Sequence, residues 1–215
     1  MMKRMGKTVL ATAMLFGGVL GQVGAAENGS PAANKPAATA KPSATAKPTA
    51  APVMTDNLAK YGLKKEIDLP VTLTSEGFSY TLHKIMIYDF KSAEVKKLQG
   101  LYGFQDSTGI IDRPKYFIWT KVTLENKTKK TMHGGGGDLQ GLVRLNFKIG
   151  QILDAMWPEK LASKTNSKEA LWTYTLKPGE KLTSYVAYAY DSEFDYFVAR
   201  MFYGKDFVEK YVVSE

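Results

Sequence analysis

From residue 54 onward, apolar and polar positions alternate at period two in short runs broken by turn residues. Ile67, Leu69, Val71 and Leu73 alternate with polar neighbours, Ser75-Glu76-Gly77 interrupts them, and Phe78, Tyr80 and Leu82 resume the pattern, which predicts a β-hairpin. After His83-Lys84 the apolar phase moves to Ile85 and Ile87, a slip of one residue that a β-bulge absorbs. Residues 116–126 form the clearest strand, with Ile118, Thr120, Val122 and Leu124 on one face and Trp119, Lys121, Thr123 and Glu125 on the other. Asn126-Lys127-Thr128-Lys129-Lys130 then turns the chain.

Further strands are predicted over 142–149 and 171–176, the latter leading into a turn at Lys177-Pro178-Gly179-Glu180. Two more follow over 182–190 and 194–203, separated by Asp191-Ser192-Glu193, and 207–213 adds an edge strand. Residues 92–101 carry apolar side chains at mixed spacing and predict a short helical excursion. A second short helix is predicted over 151–161, interrupted at Pro158. About seven short strands with turn chemistry between them and little helix predict one all-β domain, an antiparallel β-sandwich.

The first quarter of the chain is different. Lys3, Arg4 and Lys7 precede an apolar stretch from Val9 to Leu20, and Val23-Gly24-Ala25 supplies small residues for cleavage, so residues 1–25 read as a secretory signal peptide similar to those of Gram-positive bacteria. The apolar run is shorter than the roughly 20 residues that span a bilayer, so stable membrane insertion after cleavage is not expected. With no Cys in the chain there is no lipidation point and no disulfide, and stability must come from a hydrophobic core.

Residues 26–53 collapse to Ala, Pro, Thr, Ser and Lys, with Lys-Pro pairs beginning at Lys35, Lys41 and Lys47. Such a segment cannot offset the entropy of ordering, and its prolines favour extended polyproline II, which predicts a disordered, semi-stiff tether. The net charge is +8; removing the signal's three cations leaves +5, of which the tether holds +2. The domain over 54–215 is then near +3, too weak and dispersed for a nucleic-acid partner.

The order Phe78-Ser79-Tyr80-Thr81-Leu82-His83-Lys84-Ile85, then Phe117-Ile118-Trp119-Thr120-Lys121-Val122-Thr123-Leu124-Glu125-Asn126-Lys127, then Leu176-Lys177-Pro178-Gly179-Glu180 before an apolar strand resembles a secreted immunoglobulin-like family. That family, of unassigned function, occurs in Gram-positive and actinobacterial exported proteins, with a fold similar to that of the mycobacterial immunoprotective secreted antigen. The resemblance implies an immunoglobulin-like β-sandwich and carries over no catalytic residue. Residues 131–170, with four consecutive glycines, depart from its compact central part. A bacterial proteinase-inhibitor family with a Pro-Gly-Glu turn is a second, weaker likeness, and its usual intracellular setting conflicts with the signal.

Candidate chemistry is sparse. Gly134-Gly135-Gly136-Gly137 lacks a following Gly-Lys-Ser/Thr and is expected to be a hairpin loop with no helix start behind it. His83 and His133 are the only histidines, too few for a metal site, and no cofactor is implied. Asp191, Glu193 and Asp195 open like a calcium loop, but Tyr196 and Phe202 stand where that loop needs Gly and Glu. No Cys nucleophile, nucleophile elbow or His-Glu-x-x-His occurs, so no enzyme activity is expected. The late chain is rich in aromatics, and Tyr188 and Tyr190 share one strand face that would serve binding if it lay in solvent. Together with Lys35, Lys41 and Lys47 they make the candidate partner surface. The expected function is a secreted, non-enzymatic binding or structural module acting extracellularly at or near the cell envelope, on a wall polymer, a glycan or an extracellular protein. A secreted enzyme or inhibitor with an unrecognised surface site is the alternative.

Overall fold

A computed structural model describes residues 51, 53–105, 110–151 and 153–214, all within the compact unit Ala46–Glu215. The expected signal and the three tether lysines Lys35, Lys41 and Lys47 lie outside the described residues. A short 3-10 helix, Leu58–Tyr61, comes first. The predicted hairpin follows as β1 (Val71–Ser75) and β2 (Phe78–Asp89), joined by Glu76 and Gly77 at φ 41° and 83°. Positive φ at both central residues matches the twist of the flanking strands, and Gly77 adopts it without a Cβ clash. Ile67 and Leu69 fall outside the strand, because Pro70 has no N–H to extend the ladder.

The slip after Leu82 is a bulge: Leu82 pairs with Val122 and Lys84 with Lys121, leaving His83 as the extra residue. Both Leu82 and Ile85 thereby face inward. Helix α1 (Ala93–Tyr102) begins where the Ser92 hydroxyl accepts the Val95 N–H at 3.3 Å and ends at Gly103, φ 71°. Next come β3 (Tyr116–Asn126), β4 (Met132–Gly134), α2 (Gly136–Leu142), β5 (Val143–Asn146) and β6 (Asp154–Ala155). The chain closes with β7 (Tyr174–Leu176), β8 (Lys181–Tyr190), β9 (Phe197–Tyr203) and β10 (Asp206–Val213).

All pairings are antiparallel, in a five-stranded sheet ordered β1-β2-β3-β8-β6, a three-stranded sheet ordered β10-β9-β5 and the pair β4-β7. The protein is therefore all-β with two short α-helices. One cluster buries Leu73, Tyr80, Ile85, Ile118 and Val122 of the large sheet with Leu145, Phe197, Ala199, Met201 and Val212 of the smaller one. At about 1.5–3 kcal/mol for each large apolar side chain removed from water, this shared core is the main stabilising feature.

The opposite face of the large sheet divides. Near one end α1 and flanking segments cover it, burying Phe117, Trp119, Ala187 and Ala189 against Val95, Leu98 and Phe104. Trp119 is stacked between Tyr102 and Tyr185, with ring centroids 6.0 and 5.2 Å away. Towards the other end the face carries hydroxyl pairs, Thr72 with Thr81 at 2.8 Å and Thr123 with Thr183 at 2.7 Å. Asn126 closes β3: buried, its amide donates to the Lys130 and Leu176 carbonyls at 2.8 Å each, and its oxygen accepts from the Thr128 N–H at 2.9 Å.

Several expectations are corrected. Residues 151–161 hold no helix among those described; β6 pairs there with β8, and Met156 N–H bonds the Ala187 carbonyl at 2.9 Å. The alternation over 142–149 gives only the four residues of β5, and Ile149 is exposed in the turn beyond. The glycine run is not a hairpin loop: it ends β4 and starts α2, so a helix does begin there.

Candidate functional site

At the junction of β4 and α2, glycines let large rings pack directly against backbone. A Cβ at Gly134 would overlap the Tyr174 ring and one at Gly136 the Trp172 ring, whereas Cβ atoms at Gly137 and Gly141 would meet nothing within 4 Å. The Asp138 carboxylate accepts the Gly135 N–H at 2.8 Å, securing the first turn, and Leu139 is buried in the main core. The helix thus presents a bare backbone stripe, Gly137 and Gly141, between two hollows that both residues line.

The first hollow, about 550 Å³, lies between α2, β5 and the chain leading into β6. Its lining includes all four residues of β5, together with Gln140, Gln151, Leu153 and Tyr188. β5 is an edge of the three-stranded sheet and β6 an edge of the five-stranded sheet, so the hollow opens between two sheet edges. The edges differ. Gln140 covers that of β6, donating through Nε2 to the Leu153 carbonyl and accepting the Ala155 N–H at 3.2 Å.

On β5 the Val143 N–H is taken by the Leu139 carbonyl, and the Phe147 carbonyl by the N–H groups of Asp195 and Tyr196. Val143, Arg144, Leu145 and Asn146 stand opposite Met201, Arg200, Ala199 and Val198 of β9. As the end strand of its sheet, β5 turns alternate peptide groups away from β9, towards the hollow that it lines. Arg144 stands at its rim, with the guanidinium 4.8 Å from the Phe202 ring. Phe202 and Phe207, ring centroids 5.1 Å apart, continue outward as the exposed aromatic pair of the outer face. Arg200 pairs there with Glu209 at 3.0 Å, while no carboxylate among the described residues lies within 4 Å of Arg144.

The second hollow, about 720 Å³, is lined by Lys130, His133, Asp138, Tyr174 and Tyr203 among others. His133 Nδ1 and the Thr175 hydroxyl are 2.9 Å apart. Burial, helped by Asp138 and Tyr203, pushes the Tyr174 phenol up to about 12, so it is a neutral hydrogen-bonding group.

Other candidates from the sequence lie apart. His83 sits at the β2 bulge, 2.7 Å from the Thr123 hydroxyl, and lines neither hollow. Glu193 and Asp195 share Lys148, at 2.7 and 3.6 Å, and Asp191 receives the Ser192 hydroxyl at 3.2 Å. No group of three or more metal-ligating side chains gathers among the described residues. The expected aromatic surface is corrected: Tyr188 is 3% exposed and Tyr190 fully buried, packed in the core between the sheets. Burial drives both phenols above their ordinary range, and Tyr190 donates to the Glu193 carbonyl at 2.7 Å.

Sequence reasoning placed none of Phe202, Phe207, Arg144 and Leu145 in a site, and met Phe202 only as a misfit in a calcium loop. The pattern carried one usable signal, the phase of 197–203, which puts Phe202 opposite Phe197, Ala199 and Met201. No helix of the described residues is long and apolar enough to cross a membrane.

No family model and no curated protein matches the chain. Among solved structures, the crystal structure of the yjhA protein from Bacillus subtilis is similar at 15% identity and a TM-score of 0.38, over 61% of this chain and 76% of that chain. So loose a likeness carries no argument about fold or function.

Proposed function

We propose that this chain is an exported, non-enzymatic binding module acting at the bacterial cell envelope, built on an immunoglobulin-like sandwich and held off its point of attachment by the Lys-Pro tether. The observation that carries the binding reading is the hollow beside β5, whose lining offers amides, a strand edge and a guanidinium with no carboxylate partner among the described residues. These groups recognise a ligand without supplying a nucleophile beside a base. The signal pattern of residues 1–25 supports export, and Lys35, Lys41 and Lys47 supply cations for anionic wall polymers. Two sheets sharing one core are compatible with the immunoglobulin-like arrangement that the sequence resembles.

The test is retention of the mature protein on purified Gram-positive wall material. Retention should fall with added salt, because exposed charges are screened over about 8 Å at physiological ionic strength. It should fall likewise when Lys35, Lys41 and Lys47 are replaced by Gln. A chain beginning at Met54, which is itself buried, should keep the unfolding midpoint of the mature protein and any domain-borne retention. No retention by either protein would overturn the envelope reading.

A further inference from the structure

We propose that the free edge of β5 accepts an extended peptide strand carrying an acidic side chain, which pairs with the β5 peptide groups turned away from β9 and sets its carboxylate against Arg144. The proposal rests on the binding-module reading and names the partner's chemistry. An unpaired strand edge is a template for another strand, and natural folds usually cover or charge it. Here the neighbouring edge at β6 is covered by the Gln140 amide, while a hollow of about 550 Å³ runs along β5. A strand added to an edge lies about 4.8 Å from it and rises about 3.3 Å per residue, so three or four residues pass along Val143–Asn146.

The register follows from the faces of β5. Leu145 turns its side chain into the main core, so the peptide residue opposite it must be small and apolar, to enter beside Leu153 and Tyr188. Arg144 points to the outer face, so the residue opposite it lies beside the guanidinium. Among the described residues Arg144 is the only charged side chain lining this hollow, which selects for a carboxylate at that position. Gly137 and Gly141 form the far wall, and their missing side chains leave the width that an added strand needs. A glycan is disfavoured because the only ring among the described lining residues, Tyr188, is buried and offers no open face for a sugar.

The experiment uses the mature chain and bead-bound seven-residue peptides of alternating Thr and Val with Glu at the centre, beside versions centred on Gln and Lys. Glu-centred peptides should bind best and protect the edge-facing amides of β5 from hydrogen exchange. Arg144→Gln should weaken them about tenfold and erase the preference for Glu over Gln. Gly141→Leu, whose Cβ starts in open space, should abolish binding without lowering the unfolding midpoint. N-methylation of alternate peptide amides should abolish binding when it falls on one edge of the peptide and be harmless on the other. Absence of binding by all three peptide sets, or binding indifferent to Gly141→Leu and to which edge is methylated, would overturn the proposal. Protection of the β5 amides by soluble wall oligosaccharide instead of peptide would also overturn it. Wall retention measured on the Gly141→Leu protein separates the two readings: retained on the wall yet unable to bind peptide, it shows that envelope binding runs through other residues.

Discussion

The centre of the large sheet and the region around α2 are built on opposite terms. In β2-β3-β8 every strand is flanked on both sides, β3 pairs along its whole length, and Phe117, Ile118, Trp119, Thr120 and Val122 are all buried within one run. Around α2 the strands are two to four residues long, the helix carries glycines, and two hollows open beside it. A strand paired on both edges has spent its backbone groups on the fold, whereas β5 retains a peptide group that another molecule can use. On the proposed reading, capacity for binding sits where the ladder is incomplete.

The sharpest way to break this contrast is to charge the centre. Ile118→Asp or Val122→Asp should destabilise the domain by several kcal/mol, roughly the cost of an unpaired buried charge, while Lys121→Asp on the other face should be nearly neutral. Denaturant titration of the three variants checks this, and equal tolerance at all three would remove the distinction between the two faces. A smaller effect is expected inside α2. Gly136→Ala should cost about 1–3 kcal/mol by overpacking against Trp172, whereas Gly141→Ala should be neutral or stabilise by up to about 1 kcal/mol through helix propensity. If both glycines tolerate Ala equally, the ring does not seat on the helix backbone.

The smallest effect concerns pH at the boundary of the covered and open faces. Burial, with Lys121 beside it, holds the His83 imidazole below its ordinary 6.5. The unfolded chain therefore takes up this proton before the folded one, so the group's contribution is intact above 6.5 and is lost as pH falls through 6.5 towards the folded value. The ring is partly exposed, so the loss should be slight. Unfolding midpoints of wild type and His83→Gln between pH 7 and 5 check it: the variant should fall less steeply, and parallel curves would show that His83 contributes nothing to the slope.

The bulge at His83 and the turn after Asn126 were legible because each leaves a local mark, a phase change in one case and a run of turn formers in the other. The fates of Tyr188 and Tyr190 were not. Alternation groups them on one face without saying which face the second sheet will cover, and both faces of β8 are covered along its later half. Gly134–Gly137 looked like slack chain because a glycine's neighbours are invisible in sequence. Trp172 and Tyr174, about forty positions away, are what require Gly136 and Gly134.

The sequence by itself determined the all-β class, the hairpin, the bulge and the strand over 116–126, since period-two burial and turn chemistry are properties of neighbouring residues. The same local reading sets apart the Pro- and Lys-rich segment over 26–53, whose composition offers no core. Only the tertiary structure decided which strands share a sheet, that β5 ends one sheet beside the end of another, and that Leu145 and Arg144 meet there. Those outcomes depend on contacts between residues tens of positions apart, and hydrophobic burial, being non-directional, leaves no local trace of which distant partner it will choose.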